Sequence, residues 1–486
     1  MSINLDQLVE GAKNTLDGNW VGDFTIPSAT LYPHQWSWDS TFIAIGNSYL
    51  NTKKAMQELN FLFDAQWKNG MVPHIVFNEK EKTYFPAAKF YDITRSPNAP
   101  KHIGTSGMTQ PPVHAIACYY IYKNARKNGE QESEVIKFLN NMFPKLVRFH
   151  RYLMTERDPE KSGTITILHP WESGLDDSPI WDDALSKIKI ERLLKFKRLD
   201  VIAVEGAKDT IPSDDMYNKF IYMIELMKEF NYDEQVMYKE FPFKIKAIIF
   251  SSILYVANKY LLKIADVIDE SNYTDEIKEW LSRTQQNFYK YFFPALQPIT
   301  SITSTSTISA PNNGGGGVRV GSDVPRLGMT EDYLFFNYDI VNKDWIKKKT
   351  ISSLVPIYTG LIPQDDIELF VKWITHSHWC GEGKCSTPAL PSTDLEESYF
   401  KKVTYWRGPI WVNTNWLIYL GLLKYGYHDI AQNIKQGILD LVSKSGFREY
   451  YNPFTGEGLG GKSFSWTAAL VIDMINDSKG LGIPSD

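Results

Sequence analysis

His169-Pro170-Trp171-Glu172-Ser173-Gly174-Leu175-Asp176-Asp177-Ser178-Pro179-Ile180-Trp181-Asp182 sets four carboxylates between and beside two tryptophans, with Gly174 and Pro179 among them. A charge run on a solvated helix would carry neither the large rings nor the helix breakers. Rings beside carboxylates suit a site that cleaves a sugar. The rings pack on the apolar faces of the sugar, and one protonated carboxyl group gives its proton to the departing oxygen. Composition alone leaves Glu172, Asp176 and Asp177 as rival donors.

Working outward, five more stretches mix aromatic and polar residues without a helical period: 32–40, 63–77, 105–112, 404–416 and 447–466. Each precedes a helical pattern. Apolar residues recur at helical spacing through 51–67, 112–128, 133–155, 212–231, 243–270, 274–292, 365–378, 408–424, 427–444 and 463–477. Strand-like alternation is confined to short runs such as 71–77 and 164–168. Many helices joined by long loops rich in Trp, Pro and Gly predict an all-α, closed helical array. The loops would meet at one mouth, where a rigid scaffold positions them for function.

The chain has 486 residues, 43% hydrophobic and 22% charged, enough for a large core. Aromatic residues make up 14%, with 14 Trp and 27 Tyr. Most must be core, and a sugar cleft accounts for some of the excess. A net charge of −5 with no basic stripe excludes nucleic acid as an expected partner. The N-terminus has no basic and apolar leader pattern. No apolar run approaches the ~20 residues of a membrane span, since the run at 247–257 is interrupted by serines. Three cysteines argue against a disulfide framework. The expectation is a cytoplasmic enzyme that needs no cofactor, acts on a small molecule and is open to homo-oligomer formation. Residues 298–317, rich in Ser, Thr and Gly, cannot bury enough apolar surface to order themselves, and read as a surface insertion. The stretch 183–217, rich in Lys, Arg and Asp, reads as a capping excursion over the mouth.

Three stretches carry a resemblance: Trp171-Glu172-Ser173-Gly174-x-Asp176-Asp177-Ser178-Pro179, Tyr405-Trp406-Arg407-Gly408-Pro409, and Glu449-Tyr450-Tyr451-Asn452-Pro453-x-Thr455-Gly456. With the motifs at 32–40 and 105–112 they make the chain resemble glycoside hydrolase family 63, in its branch acting on mannosylglycerate and glucosylglycerate. The matching motifs run from Tyr32 to Leu470. The resemblance implies a single (α/α)6 barrel over 1–486 and hydrolysis with inversion, without a metal. It implies Asp176 as the general acid and Glu449, rather than Glu457, as the base. Glu172 then braces the loop. Asp176 needs a raised pKa, which a Trp-lined pocket supplies by desolvation. The resemblance further implies Tyr32, Trp36, Trp38 and Asp39 around the cleaved sugar, with Trp171 and Gly174 of the acid loop beside them. Tyr405, Trp406 and Trp411 are expected as further sugar contacts, and Tyr84, Gln110 and Tyr217 on the aglycone side. His34, His74 and His169 are expected to be structural.

One position departs from the family. An arginine is expected just before Pro212-Ser213-Asp214, to hold a glycerate carboxylate in a bidentate pair. Ile211 stands there and cannot bind an anion, and Lys208 is a nearby point charge. This keeps a neutral α-glucoside open as the substrate, with a non-catalytic sugar binder as the remaining option. His376, His378, Cys380 and Cys385 put four possible zinc ligands within ten residues, but not in a common zinc spacing. Free thiols are expected there.

Overall fold

The computed structural model describes residues 3–81, 84–129, 132–192, 196, 198, 212–294 and 333–476. Two helices that periodicity did not predict open the chain, α1 (Leu5–Gly18) and α2 (Ser37–Leu50). The predicted segments follow as α3 (Thr52–Asp64), α4 (His114–Lys127), α5 (Glu132–Glu156) and α6 (Asp214–Glu229). Then come α7 (Ile248–Val267), α8 (Thr274–Phe292), α9 (Ile367–Ile374), α10 (Val412–Lys424), α11 (His428–Ser445) and α12 (Ser465–Asn476). Several starts are fixed by side-chain caps. Asn4, Asn51 and Ser213 accept the backbone N–H of Gln7, Lys54 and Met216, satisfying orphan donors of the first turn.

The helices sort into two sets. α2 packs on α4 and α12, α4 on α7, and α10 on α12. α7 and α10 both pack on the turn Val355–Thr359, which closes the ring. Members of this set are buried nearly all round. A second set covers them, α1 on α12, α3 on α2, α5 on α4, α8 on α7 and α11 on α10, each keeping a polar face. α7 is long and apolar enough to cross a bilayer by composition, contrary to the reading of the 247–257 run. The residues of its apolar window are 83% buried inside the protein, as a core helix's are.

Short antiparallel ladders stand just ahead of the inner helices. β1 (Gln35–Trp36) pairs with β2 (Ile75–Val76) and runs straight into α2. β3 (Thr166–Ile167), β4 (Ile245–Lys246), β5 (Asn337–Asp339) and β6 (Asp344–Ile346) form one sheet in that order. β7 (Arg448–Tyr451) and β8 (Gly458–Lys462) form a hairpin before α12, with an irregularity between Arg448 and Tyr450. The 166–167 and 75–76 strands fall inside the two runs predicted to alternate.

The free-thiol expectation is corrected. Cys380 and Cys385 form a disulfide, with Cα atoms 5.0 Å apart. The intervening Gly-Glu-Gly-Lys doubles back through left-handed backbone at Cys380, Glu382 and Gly383, which brings the two sulfurs together. Both thiols are thereby removed as ligands. The insertion 298–317, Lys208 and Ile211 lie outside the described residues.

Candidate active site

The loops ahead of the inner helices enclose a cavity of about 440 Å³. Asp176 and Glu449 both line it, as do Tyr32, Trp36, Trp38, Asp39, Tyr84, Gln110, Trp171, Gly174, Tyr217 and Tyr405. Segments distant in sequence therefore meet at one place.

The acid loop begins with a 3-10 turn, Pro170–Ser173, in which His169 Nδ1 accepts the Trp171 N–H at 3.0 Å. Gly174 follows with φ +71. A Cβ there would sit 2.3 Å from Trp38 Cζ2, so glycine lets the indole of Trp38 lie on the turn. The four carboxylates then separate by partner. Glu172 is fully buried in a two-pronged pair with Arg157, at 2.7 and 2.8 Å, and also accepts the Leu168 N–H at 2.7 Å. Arg157 reaches Glu234 as well, at 2.9 Å. Asp177 and Asp182 share Arg407, at 3.2 Å and at 2.5 and 3.0 Å. Among the described residues no cation pairs with Asp176. Burial first, then the charges of Glu449 and Asp177, push its carboxyl well above the ordinary range.

Glu449 sits in β7, 1% exposed. Gly461 N–H donates to its Oε2 at 2.8 Å and Tyr32 O–H to its Oε1 at 2.8 Å, and the Tyr405 hydroxyl, 3.4 Å from that of Tyr32, also favours its charged form. Gly460 has φ +63, and a Cβ there would meet Glu449 Oε2 at 2.4 Å. Burial raises the Glu449 pKa to about 7, while the Gly461, Tyr32 and Tyr405 donors hold it down. Asp39, in the first turn of α2 and 4% exposed, is a third carboxyl at the cavity. Burial, then the charges of Glu449 and Asp176, push it well above the carboxylate range. Glu457, the rival base, is exposed at the turn of the hairpin.

Several aromatic expectations are refined. Trp36 meets Tyr32 and Tyr84 edge-on, at 5.2 and 5.6 Å between centroids. Trp38 N–H donates to Gln110 Oε1 at 3.2 Å, which orients that amide. Trp406 and Trp411 do not line the cavity. They are fully buried and stack on each other at 3.8 Å, and Trp411 stacks in turn on Tyr450. They back the residues that do face it, since Trp411 Nε1 donates to the Tyr405 carbonyl at 3.0 Å. His34 and His169 are buried packing residues, but His74 lines the cavity, beyond its structural role. Its Nδ1 lies 2.6 Å from Ser106 Oγ, and burial and the neighbouring His169 lower its pKa to about 3, so the ring is neutral.

At the cavity's outer end Pro212 and Tyr217 form a wall with Phe85. The Arg198 guanidinium lies 4.3 Å from the Tyr217 ring centroid, and its Nη1 donates to the Pro212 carbonyl at 2.7 Å and to Asp214 at 3.0 Å. Glu81 also lines the cavity. Spacing and motif missed Arg198, Glu81, Gly460 and Gly461. The two glycines act through backbone, which leaves no side-chain pattern to read.

A carboxyl with no cation partner among the described residues, lining one aromatic cavity with a second that accepts a backbone N–H and a tyrosine hydroxyl, is suited to a glycoside hydrolase, and the neighbours of this chain agree. Residues 32–313 and 319–467 match the family described as the mannosylglycerate hydrolase MGH1-like glycoside hydrolase domain, and the chain belongs to it. It is 34% identical to the mannosylglycerate hydrolase of Rubrobacter radiotolerans, over 97% of both chains. It is 34% identical to the glucosylglycerate hydrolase of Mycolicibacterium hassiacum, over 96% of this chain and 98% of that one. The solved structure of a family 63 mannosylglycerate hydrolase from Thermus thermophilus, in complex with Tris and D-glycerate, superposes with a TM-score of 0.82. It shares 34% identity and covers 96% of this chain and all of its own.

Proposed function

We propose that this glycoside hydrolase cleaves the α-glycosides of glycerate, 2-O-α-mannosylglycerate or glucosylglycerate, with inversion. The observation that carries the mechanism is the unequal treatment of two carboxyls at one cavity. Asp176 has no cation partner among the described residues and only a backbone donor, and is suited to stay protonated, whereas Glu449 accepts the Gly461 N–H and the Tyr32 hydroxyl, with Tyr405 adding to their effect, and is suited to ionise. As the C1–O bond breaks, the Asp176 proton goes to the glycosidic oxygen, which leaves with the bonding pair. Glu449 takes a proton from a water, whose oxygen bonds C1 from the opposite face. Asp176 ends as carboxylate and Glu449 as acid, and solvent resets both. Room for that water requires a carboxyl separation of roughly 6.5–9.5 Å. Asp39 and Gln110 are placed to bond sugar hydroxyls. Proton NMR of the first product tests the stereochemistry: β-hexose from an α-glycoside is expected, and α-hexose would overturn inversion.

The glycerate reading rests on the named relatives and on Arg198, a cation against the Tyr217 wall where an aglycone carboxylate would come to lie. Arg198 takes the part in recognition that Ile211 cannot. Glu81 in the cavity lining favours the second reading, a neutral α-glucoside, because a carboxylate in the cavity disfavours an anionic aglycone. The comparison of kcat/KM on glucosylglycerate and on the matching glucosylglycerol separates them. A preference for the acid supports glycerate, and a preference for the alcohol supports the neutral substrate.

For the scaffold, we read 1–486 as one catalytic domain built on an (α/α)6 barrel. The turn Val355–Thr359 stands in for one inner helix, with α2, α4, α7, α10 and α12 as the others. The cap read over 183–217 lies in large part outside the described residues, and Phe196, which stacks on Phe85 at 5.3 Å, supports it.

A further inference from the structure

The acid and the base come from opposite parts of the chain, and one side chain is tied to the loops of both. Arg407 binds Asp177, the residue after the acid, through Nε at 3.2 Å, and grips Asp182 through Nη1 and Nη2 at 3.0 and 2.5 Å. It is 10% exposed, and Asp177 is 3% exposed. Two residues earlier stands Tyr405, with φ +28. A tyrosine adopts such backbone only where its surroundings hold it there. The surroundings are visible. The Trp411 indole donates to the Tyr405 carbonyl, Arg407 N–H donates to the Thr404 carbonyl at 2.8 Å, and Lys401 N–H donates to the Arg407 carbonyl at 2.8 Å. The strained turn places the Tyr405 hydroxyl 3.4 Å from the Tyr32 hydroxyl, which donates to Glu449 at 2.8 Å, and Tyr405 helps to stabilise the charged form of that carboxyl.

We propose that Arg407 is a positioning residue that couples the acid loop to the donors of the base. Its guanidinium fixes Asp177 and Asp182, and so the ledge that carries Asp176. The same grip anchors the turn that carries Tyr405 two residues earlier, and so the tyrosine pair that keeps Glu449 ionised. One cation therefore sets the relation of acid to base, the quantity on which single-step displacement by water depends. The proposal rests on the roles given above to Asp176 and Glu449. Loss of wild-type turnover in Asp176→Asn and Glu449→Gln tests those roles separately.

The experiment compares Arg407→Lys, Arg407→Met and the triple variant Asp177→Asn, Asp182→Asn, Arg407→Met. It records Tm, kcat, KM and the pH dependence of kcat/KM. Arg407→Met leaves two acids unpaired and loses stability, and the triple variant removes those charges and regains Tm. Arg407→Lys keeps the charge but not the fork, so it folds while losing the two-pronged grip on Asp182. The expected result is a kcat lower by about 10²-fold in all three, with KM changed far less. The rising limb of the pH profile moves to higher pH, because a turn no longer anchored on Asp177 and Asp182 lets Tyr405 drift from Tyr32 and weakens the set that held the Glu449 pKa down. Recovery of wild-type kcat together with Tm in the triple variant would reduce Arg407 to a charge partner and overturn the proposal. So would a rising limb that stays at its wild-type position in all three.

Discussion

The loop of Asp176 and the hairpin of Glu449 share one cavity, with Asp176 partly exposed and Glu449 buried, and they treat their carboxyls oppositely. The loop spends its cations, Arg157 and Arg407, on Glu172, Asp177 and Asp182, and leaves Asp176 with none. The hairpin turns its Gly461 N–H onto Glu449, and Tyr32 and Tyr405 from two other segments add their hydroxyls. Desolvation raises both pKa values, so burial does not choose the acid. What chooses is the number of donors aimed at the charged form. The same logic explains four carboxylates in fourteen residues. Three are ties that hold the loop, and the fourth is the one the ties leave unpaired.

The largest effects come from breaking either carboxyl. Asp176→Asn and Glu449→Gln should each lower kcat by about 10²–10⁴-fold with the fold intact by circular dichroism. The leaving group then separates the roles. An α-glycosyl fluoride needs no proton to depart, so Asp176→Asn should regain most of its rate on the fluoride, while Glu449→Gln should not. Rescue of the Glu449 variant instead would exchange the two assignments.

The two glycines give a paired test of next size. Gly460→Ala forces a Cβ toward Glu449 Oε2, and Gly174→Ala forces one into the Trp38 ring. Both also place a side chain at positive φ, at roughly 1–2 kcal/mol in backbone strain. A kcat lower by roughly 10–100-fold is expected for Gly460→Ala, with KM nearly unchanged, because it displaces the base. Gly174→Ala should raise KM as well, because the indole beside the sugar moves. Identical kinetic signatures in the two would mean that the glycines serve only the fold.

Tyr32→Phe sharpens the contrast without moving backbone. The base works as a carboxylate, so activity rises with pH through the Glu449 pKa of about 7. Tyr32 stabilises the charged form, and its loss raises that pKa. The rising limb should shift upward by about one pH unit, the worth of one hydrogen bond to a charged group. At pH 6 this lowers kcat/KM by roughly 10-fold, and at high pH the variants converge. An unmoved limb would remove Tyr32 from the donor set.

How far this was legible in the sequence differs by element. Helices with one polar face, such as α5 and α8, stood out by period. α2 did not, because its residues from Ser37 to Ser48 are all buried and period needs a wet face to contrast with. Its start was read instead as a functional loop, which the cavity at Trp38 and Asp39 explains. Motif carried Asp176 and Glu449 to one cavity, but could not tell a ring that faces sugar from a ring behind it. Trp406 and Trp411 stack in the wall, and only Tyr405 of that turn reaches the cavity. His74 was passed over because an inverting glycosidase of this type needs no histidine for its chemistry. The hairpin's donors include a backbone N–H, which no residue type announces.

The smallest effect belongs to the hairpin's far end, and it tests whether the base depends on that end at all. Ser386, next to Cys385, donates through both its N–H and its Oγ to the Pro453 carbonyl at 2.9 Å, beside the turn that joins β7 to β8. Loss of the disulfide in Cys380→Ser, Cys385→Ser frees a short loop, at about 2 kcal/mol by loop-closure entropy, and should lower Tm by roughly 2–4 °C. Glu449 should not notice. Its donors come from Gly461, Tyr32 and Tyr405, all on the cavity side, so kcat should change less than about twofold and the rising limb should stay near pH 7. A limb displaced upward in this variant would show that the hairpin transmits strain along its length. The base would then owe its ionisation to the whole ribbon rather than to three local donors.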